Sequence, residues 1–477
     1  MHQPTFLSRR QLNAGLAAAP WLASFGSLGA SEANVPRFKA IVHHGMLVKD
    51  STVPGETRAD NVTPAHPNGF QLAKNRFLVL YATRGFRGID DDRAICYQIH
   101  TEGFDGPVLK EGLLSVPYDQ HETNREASSF AFKQHGHPVA FGVPKGAKIA
   151  GRDVPHAGVF VAKWRTRTLH IQNAAIVHDS SREGQGVEWV QFRLNDDESD
   201  LEILQPVQAL RQKGFETGPL ICSAPKYAWM NQSYVNAVPF NSRCDEWIDA
   251  NHFAGDRVAT LRYAFNAATG LYEWVETGEY LIDPLGGVSE ASVVPWGSDW
   301  LIAVRLAGAP IDKPGRPKRG AHGVGWLRTS DPLRGQGEIA FPPVPNCQGG
   351  RTAYRCADGV LRVFAGDATV PPKNGKPRSK RNPIYAWDID PDRGFAASEP
   401  WVIFDAWKAG IAMRPDCVPM CDMIKLMPPT GNSQVLMHRL TFAPNNFPPT
   451  ADEIAACGVY YARIEYDGPV QARWQFT

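Results

Sequence analysis

The sequence predicts an all-β fold, a six-bladed β-propeller of four-stranded antiparallel blades. Three observations predict it. Short segments rich in Val, Ile, Leu and aromatic residues recur along the chain, each bounded by Gly, Pro, Asn or Asp. Helix signals are scarce; the one plausible helix, "SDLEILQPVQALRQKG" (199–214), is interrupted by Pro206. A unit also repeats: apolar strand, Asp/Gly turn, second apolar strand, loop, aromatic strand.

The strands come in order as "RFLVLYATR" (76–84), "RAICYQIH" (93–100), "ASSFAFK" (127–133), "HPVAFGVP" (137–144) and "AGVFVAKW" (157–164). "VEWVQFRL" (187–194), "RVATLRYAFN" (257–266), "LYEWVET" (271–277), "ASVVPW" (291–296), "DWLIAVRL" (299–306) and "GVGWLRT" (323–329) follow. The last are "VLRVFAGD" (360–367), "PIYAWDID" (383–390), "QVLMHRLTF" (434–442) and "GVYYARIEYDG" (458–468). The repeating unit is clearest from about residues 73, 296 and 356. Blades of about 40–60 residues would number six in a chain of this length. The first strand, "RFKAIVHHG" (37–45), is expected to complete the last blade beside "YYARIEYDG", because closing the ring removes exposed sheet edges. No linker divides residues 34–477, which read as one domain.

Residues 1–33 read differently. Paired Arg9 and Arg10 precede a weakly apolar Gly/Ala-rich run and then small residues, the layout of a twin-arginine export signal. The mature chain is expected in the periplasm or outside the cell. No other segment is apolar for long enough to span a membrane as a helix. A formal net charge of +1 supplies no global field to attract nucleic acid or an anionic membrane. Two basic runs, "KPGRPKRG" (313–320) and "KNGKPRSKRN" (373–382), read as solvated loops. Of the eight cysteines, only Cys417 and Cys421 have C-x-x-x-C spacing, and no second ligand pair lies near them; no metal and no cofactor is expected. The oligomeric state is open.

The candidate chemistry starts at "GGVSEASVVPWGSDWLIAVR" (286–305), where Glu290 enters and Arg305 leaves an otherwise apolar hairpin. Burying either charge alone costs several kcal/mol. The two residues therefore form an ion pair, reach solvent, or face a shared polar mouth. "SEASVVPWGSDWLIAVR" resembles the Glu-containing inner hairpin of the sialidase superfamily, "NCQGG" (346–350) its Cys-Gln-Gly stretch, and "SDPL" after "GWLRT" its Ser-x-Asp turn. "DDDRAICYQIHTEGFDG" likewise resembles its first blade. The resemblance implies a propeller and a glycan-cleaving activity, with Glu290 and Arg305 in the site. It also shows departures. The place of the family's Arg-Ile-Pro motif reads "HPNGFQL" (66–72), and "CDMIKLM" (421–427) puts Cys421 or Asp422 where the family carries its tyrosine nucleophile. Arg351 and Arg355 both lie near the third family arginine. These departures imply a relative acting on another sugar, an exo-glycosidase cleaving terminal glycosidic bonds.

Glycoside hydrolysis needs two carboxyl groups or a nucleophile–base pair. Asp91, flanked by Asp90 and Asp92 in a loop after Arg84 and Arg87, offers the second carboxyl beside Glu290, with Arg84 as a substrate-binding cation. His135 and His137, close to His121, are spaced to share one strand face, which suits either a metal or a proton shuttle; His43 and His44 stand at the first strand. With Tyr234, Asn236 and Arg243 from "WMNQSYVNAVPFNSRCDEW" (229–247), they resemble the His, Tyr and Arg set of propeller-shaped polysaccharide lyases, which cleave uronic-acid glycans by β-elimination. Trp247 and Trp326, beside charged loops, are candidates for stacking on a sugar ring. A non-catalytic carbohydrate-binding propeller is the remaining alternative. In each case the expected partner is a glycan.

Overall fold

A computed structural model describes residues 37–50, 62–85, 95–115, 131–142, 144, 147–149, 152–153, 157–172, 175–178, 185–210, 230–232, 238–253, 257–268, 271–279, 281, 288–306, 324–334, 339–340, 352–366, 381–411, 414, 419–442 and 450–470. All belong to the compact unit Pro36–Thr477.

Strand β1 (Phe38–Val48) stands apart at first. β2 (Val62–Ala73), β3 (Arg76–Gly85), β4 (Ile95–His100) and β5 (Val108–Ser115) make an antiparallel meander in chain order. The next sheet takes β6 (Ala131–Gly142), a two-stranded ribbon of β7 (Lys148–Ile149) and β8 (Arg152–Asp153) lying outside it, then β9 (Ala157–Gln172), β10 (Ala175–His178), β11 (Gln185–Leu194) and β12 (Leu201–Leu210). β13 (Met230–Gln232) and β14 (Val238–Pro239) both pair with β15 (Glu246–Phe253), followed by β16 (Arg257–Asn266) and β17 (Leu271–Thr277). β18 (Val288–Trp296), β19 (Asp299–Leu306) and β20 (Val324–Thr329) form the sheet that carries the Glu290 hairpin. β21 (Thr352–Arg355), β22 (Leu361–Gly366), β23 (Ile384–Asp390), β24 (Ala396–Ala397) and β25 (Trp401–Phe404) follow. Last come β26 (Pro419–Leu426), β27 (Ser433–Phe442) and β28 (Gly458–Tyr466), and β1 pairs antiparallel with β28 from Phe38↔Tyr466 to Val48↔Val459. The first strand thus closes the last sheet.

This is an all-β propeller of four-stranded antiparallel blades. Among the described residues five sheets reach four or five strands, and the β18–β20 sheet has three. Five four- or five-stranded blades are thus described where the sequence predicts six; at the edge of the three-stranded sheet Ala340 forms an isolated bridge with Trp326.

The cores lie between consecutive sheets. Leu78, Leu80 and Ile99 of one sheet bury against Phe192 and Leu194 of the next. Val294 and Trp326 pack against Val363 and Trp387, and Phe364 and Ile384 against Ile424 and Leu436. The closing seam joins Phe77 and Val79 to Met437 and Val459. It is tight: a Cβ at Gly69 would stand 2.4 Å from Met427 Sδ and 2.8 Å from Phe104 Cε1, so a larger residue there would have to displace both side chains.

Two sequence expectations change here. The segment read as a helix is β12, an outer strand. Pro206 falls where pairing with β11 shifts register, between Trp189↔Gln208 and Gln191↔Gln205. A proline that breaks a helix is tolerated at such an irregular edge. The segments 127–133 and 137–144, read as two strands, belong to the single strand β6 over its Ala131–Gly142 span.

Candidate functional site

The innermost strand of each sheet is the first in chain order, save in the closing sheet, where β1 is outermost and β26 innermost, and on these inner strands the pairing is irregular in a repeated way. In β2, His66 and Pro67 together oppose one residue of β3, between Ala65↔Ala82 and Asn68↔Leu80. In β18, Glu290 and Ala291 oppose one residue of β19, between Ser289↔Arg305 and Ser292↔Ala303. In β26, Met423 and Ile424 do the same, between Asp422↔Arg439 and Lys425↔Met437. Gly136 and His137 form the matching irregularity in β6, between His135↔Trp164 and Pro138↔Ala162. These are β-bulges, which bend the strand and re-aim a side chain.

The first bulged residue has left-handed backbone in three of them: φ is 50° at His66, 39° at Glu290 and 57° at Met423. Each such conformation costs about 1–3 kcal/mol in a residue other than glycine. The polar residue after the bulge then ties neighbouring inner strands together. Ser292 Oγ accepts from the Ala353 amide of β21 at 3.1 Å, and Asn68 and Lys425 occupy the same register position, both buried.

Glu290 and Arg305 stand at the same end of their hairpin and bond directly, the Arg305 Nη1 donating to Glu290 Oε1. The carboxylate side chain is 10 % exposed and the guanidinium 18 %. The pair is incompletely satisfied, since Glu290 Oε2 and Arg305 Nε are buried with no hydrogen-bond partner.

A second acid–arginine set occupies the matching place on β26 and β27. Arg439 grips Asp422 with both nitrogens, Nε to Oδ1 at 2.8 Å and Nη2 to Oδ2 at 2.9 Å. Arg381 adds Nη1 to Oδ2 at 2.6 Å. The Arg381 carbonyl accepts from the Cys421 amide at 3.2 Å, so this residue is fixed to β26 at both ends. Arg381, read from sequence as part of a solvated basic loop, is instead a partner of a buried carboxylate. Three N–H bonds leave Asp422 poorly placed to attack a sugar carbon; its geometry is that of a template for two guanidiniums.

The other sequence candidates fall apart into groups. Asp91, Tyr234 and Arg351 lie outside the described residues. Arg84 pairs with Thr63 near the end of β3, the same end of its sheet as Glu290 in its own. His135 takes in β6 the register position of Asp422 in β26, and His137 lies in the bulge that follows it. His43 and His44 lie on β1, the outer strand of the closing sheet.

Three expectations are corrected. Arg243 sits in the turn joining the inner strand β14 to β15, the end opposite Glu290, where it is exposed and pairs with Asp245 at 3.2 Å. Trp247 is buried, its indole N–H shared between the Cys244 carbonyl at 2.9 Å and the Tyr272 hydroxyl at 3.0 Å, so it offers no ring face to a sugar. Trp326 is likewise core, stacked on Phe395 at 5.0 Å. Arg355 lies over the Trp296 ring at 4.9 Å, near the hairpin end of β18 and away from Glu290.

Sequence reasoning gave no role to His66, Met423, Arg381 or Arg439. The available signal was a His, a Glu or a Met interrupting an apolar strand one residue before its core positions resume. Among the described residues no group of three His, Cys, Asp or Glu side chains is placed to hold a metal. None of the described helices is long and apolar enough to cross a membrane.

No protein-family model matches the chain, and no curated protein matches it. Solved structures do. A protein of unknown function from Dyadobacter fermentans aligns over 91% of this chain and 99% of its own, at 11% identity and a TM-score of 0.51. A Trypanosoma rangeli sialidase in complex with sialic acid aligns over 89% of this chain and 57% of its own, at 11% identity and a TM-score of 0.49. An alpha-L-arabinofuranosidase from Fusarium graminearum aligns over 84% of this chain and 93% of its own, at 10% identity and a TM-score of 0.47. At these identities the likeness is one of fold alone.

Proposed function

We propose that this protein is an exported exo-glycosidase, a sialidase-like propeller enzyme that hydrolyses a terminal glycosidic bond at the axial end carrying Glu290. One observation carries the reading: a buried carboxylate is held on an inner strand in a strained left-handed conformation. Strained residues of this kind concentrate at functional sites. A carboxyl group in such a place can exchange a proton with a leaving group or a water. The sheet of β18–β20 with the Ala340 bridge is the sixth blade of the ring. Arg9 and Arg10 direct the chain through twin-arginine export. The lyase alternative has lost a member of its set, since Arg243 lies at the opposite end of its sheet from Glu290's place.

The test is a screen of purified protein on aryl glycosides, followed by Glu290→Gln. The substitution keeps the shape and removes the charge. Turnover per folded molecule should fall at least about 100-fold, the usual scale of acid–base catalysis, beyond any fall in melting temperature that the loss of the Arg305 ion pair brings. Full turnover in folded Glu290→Gln excludes this residue from the chemistry, and an unsaturated uronide as product would favour the lyase.

A further inference from the structure

We propose that the Glu290–Arg305 couple selects an uncharged sugar hydroxyl and disfavours a carboxylate, so that the substrate is a neutral glycoside. The inference takes the reaction from the glycosidase reading but derives the charge of the ligand from the couple itself. A lone guanidinium is an anion site, able to grip a carboxylate through two parallel N–H bonds. Arg305 is not alone. One of its nitrogens donates to Glu290, and the couple sums to zero charge.

What the couple leaves unmet is one acceptor, Glu290 Oε2, and one donor, Arg305 Nε–H, both buried without partners. A ligand that completes the couple must therefore donate one hydrogen bond and accept one. A hydroxyl group does both. An ionised carboxylate only accepts, so it would leave Glu290 Oε2 unmet and bring a like charge beside it. The Arg305 and Glu290 side chains keep 18 % and 10 % exposure, so a ligand would reach the unmet atoms once these side chains turn toward that exposed side. Their positions are fixed by backbone: Glu290 by the bulge in β18 and Arg305 by its pairing with Ser289 and Val324. Backbone fixed in this way limits how far the couple can rearrange to suit the wrong ligand. The other arginines at matching positions follow the same rule. Arg439 and Arg381 both donate to Asp422, so each of these three guanidiniums already holds a carboxylate.

The experiment compares sugars that differ only in charge. Binding of methyl β-D-glucopyranoside against methyl β-D-glucuronide, and of the galactoside against the galacturonide, is measured by calorimetry, with N-acetylneuraminic acid as a third acidic probe. The wild type should bind at least one uncharged sugar ten-fold or more tightly than its acidic counterpart. Glu290→Gln, which uncovers Arg305, should narrow that ratio at least ten-fold by gaining affinity for the acid. Equal or tighter binding of the acidic sugars by the wild type overturns the proposal, as does an unchanged ratio in folded Glu290→Gln or no binding of any sugar. The wild-type ratio decides even where the variant folds poorly. Selective binding of a neutral sugar without cleavage of any glycoside upholds the selectivity and sinks the glycosidase reading. Cleavage confined to acidic glycosides does the reverse.

Discussion

Asp422→Asn tests whether the second acid–arginine set is a template or a participant in chemistry. Asp422 is 1 % exposed and Arg439 3 %. Three charge-assisted bonds converge on one carboxylate, two from Arg439 and one from Arg381. Replacing the carboxylate by an amide leaves the Arg439 charge buried without its counter-charge. Breaking a buried pair in this way costs about 3–5 kcal/mol. The folded unit has roughly 440 residues, and unfolding entropy near 60 °C is about 2.1 cal/mol/K per residue, hence about 0.9 kcal/mol/K for the whole. Dividing the cost by this entropy gives a fall in Tm of about 3–5 °C. Calorimetric melting measures it, and turnover is assayed on the folded fraction. A template role further predicts that Asp422→Leu with Arg439→Met regains part of the lost stability, because a packed apolar pair avoids the desolvation of two ions. An unchanged Tm with turnover abolished in Asp422→Asn would refute the template argument and make this carboxylate a reactant.

Two further predictions concern other parts of the chain. Burial pushes the Glu453 carboxyl up, but hydrogen bonds from the Arg414 guanidinium and the Thr450 amide outweigh it and hold the group below its usual range. The stability it contributes is present above the unfolded value of about 4.3 and is lost as pH falls through the folded value; Glu453→Gln should cost about 2 kcal/mol at pH 7 and flatten the acid limb of a Tm–pH curve, and a limb as steep as wild type would show the assignment wrong. Replacing Arg9 and Arg10 together by lysine should hold the precursor in the cytoplasm, and an unchanged periplasmic yield on fractionation would rule out the twin-arginine route.

The outer parts of the blades were legible in the sequence, and the inner strands were much less so. "DWLIAVRL" is β19 and "QVLMHRLTF" lies within β27, because a strand buried between two sheets is apolar throughout. The closing strand was legible for the same reason, together with the need to cover a sheet edge. β2 and β26 escaped notice. "VTPAHPNGFQLA" carries two prolines, a histidine and a glycine, and "PMCDMIKL" carries an aspartate and a lysine, so neither reads as a strand by composition. Both are inner strands whose polar residues Thr63, His66, Asn68, Asp422 and Lys425 are buried instead of facing water, Asp422 as the partner of two arginines. Glu290 and Arg305 could be singled out because a short hairpin brings them together fifteen residues apart. Arg381 and Asp422 are forty-one residues apart on different sheets, and no local pattern announces such a pair.

The repeated bulge links these failures to function. Glycine is the residue type that meets left-handed backbone at least cost. The matching positions of β2, β18 and β26 hold His66, Glu290 and Met423 instead. Backbone preference alone would put glycine in all three places, so the three side chains are kept at a conformational cost of about 1–3 kcal/mol each. Packing accounts for Met423, which lies against Tyr354. It does not account for Glu290, whose second carboxylate oxygen remains without a partner inside the fold. A strained backbone and an unmet buried acceptor each lower stability, and their coincidence in one residue is what a selected ligand contact explains and a purely structural ion pair does not.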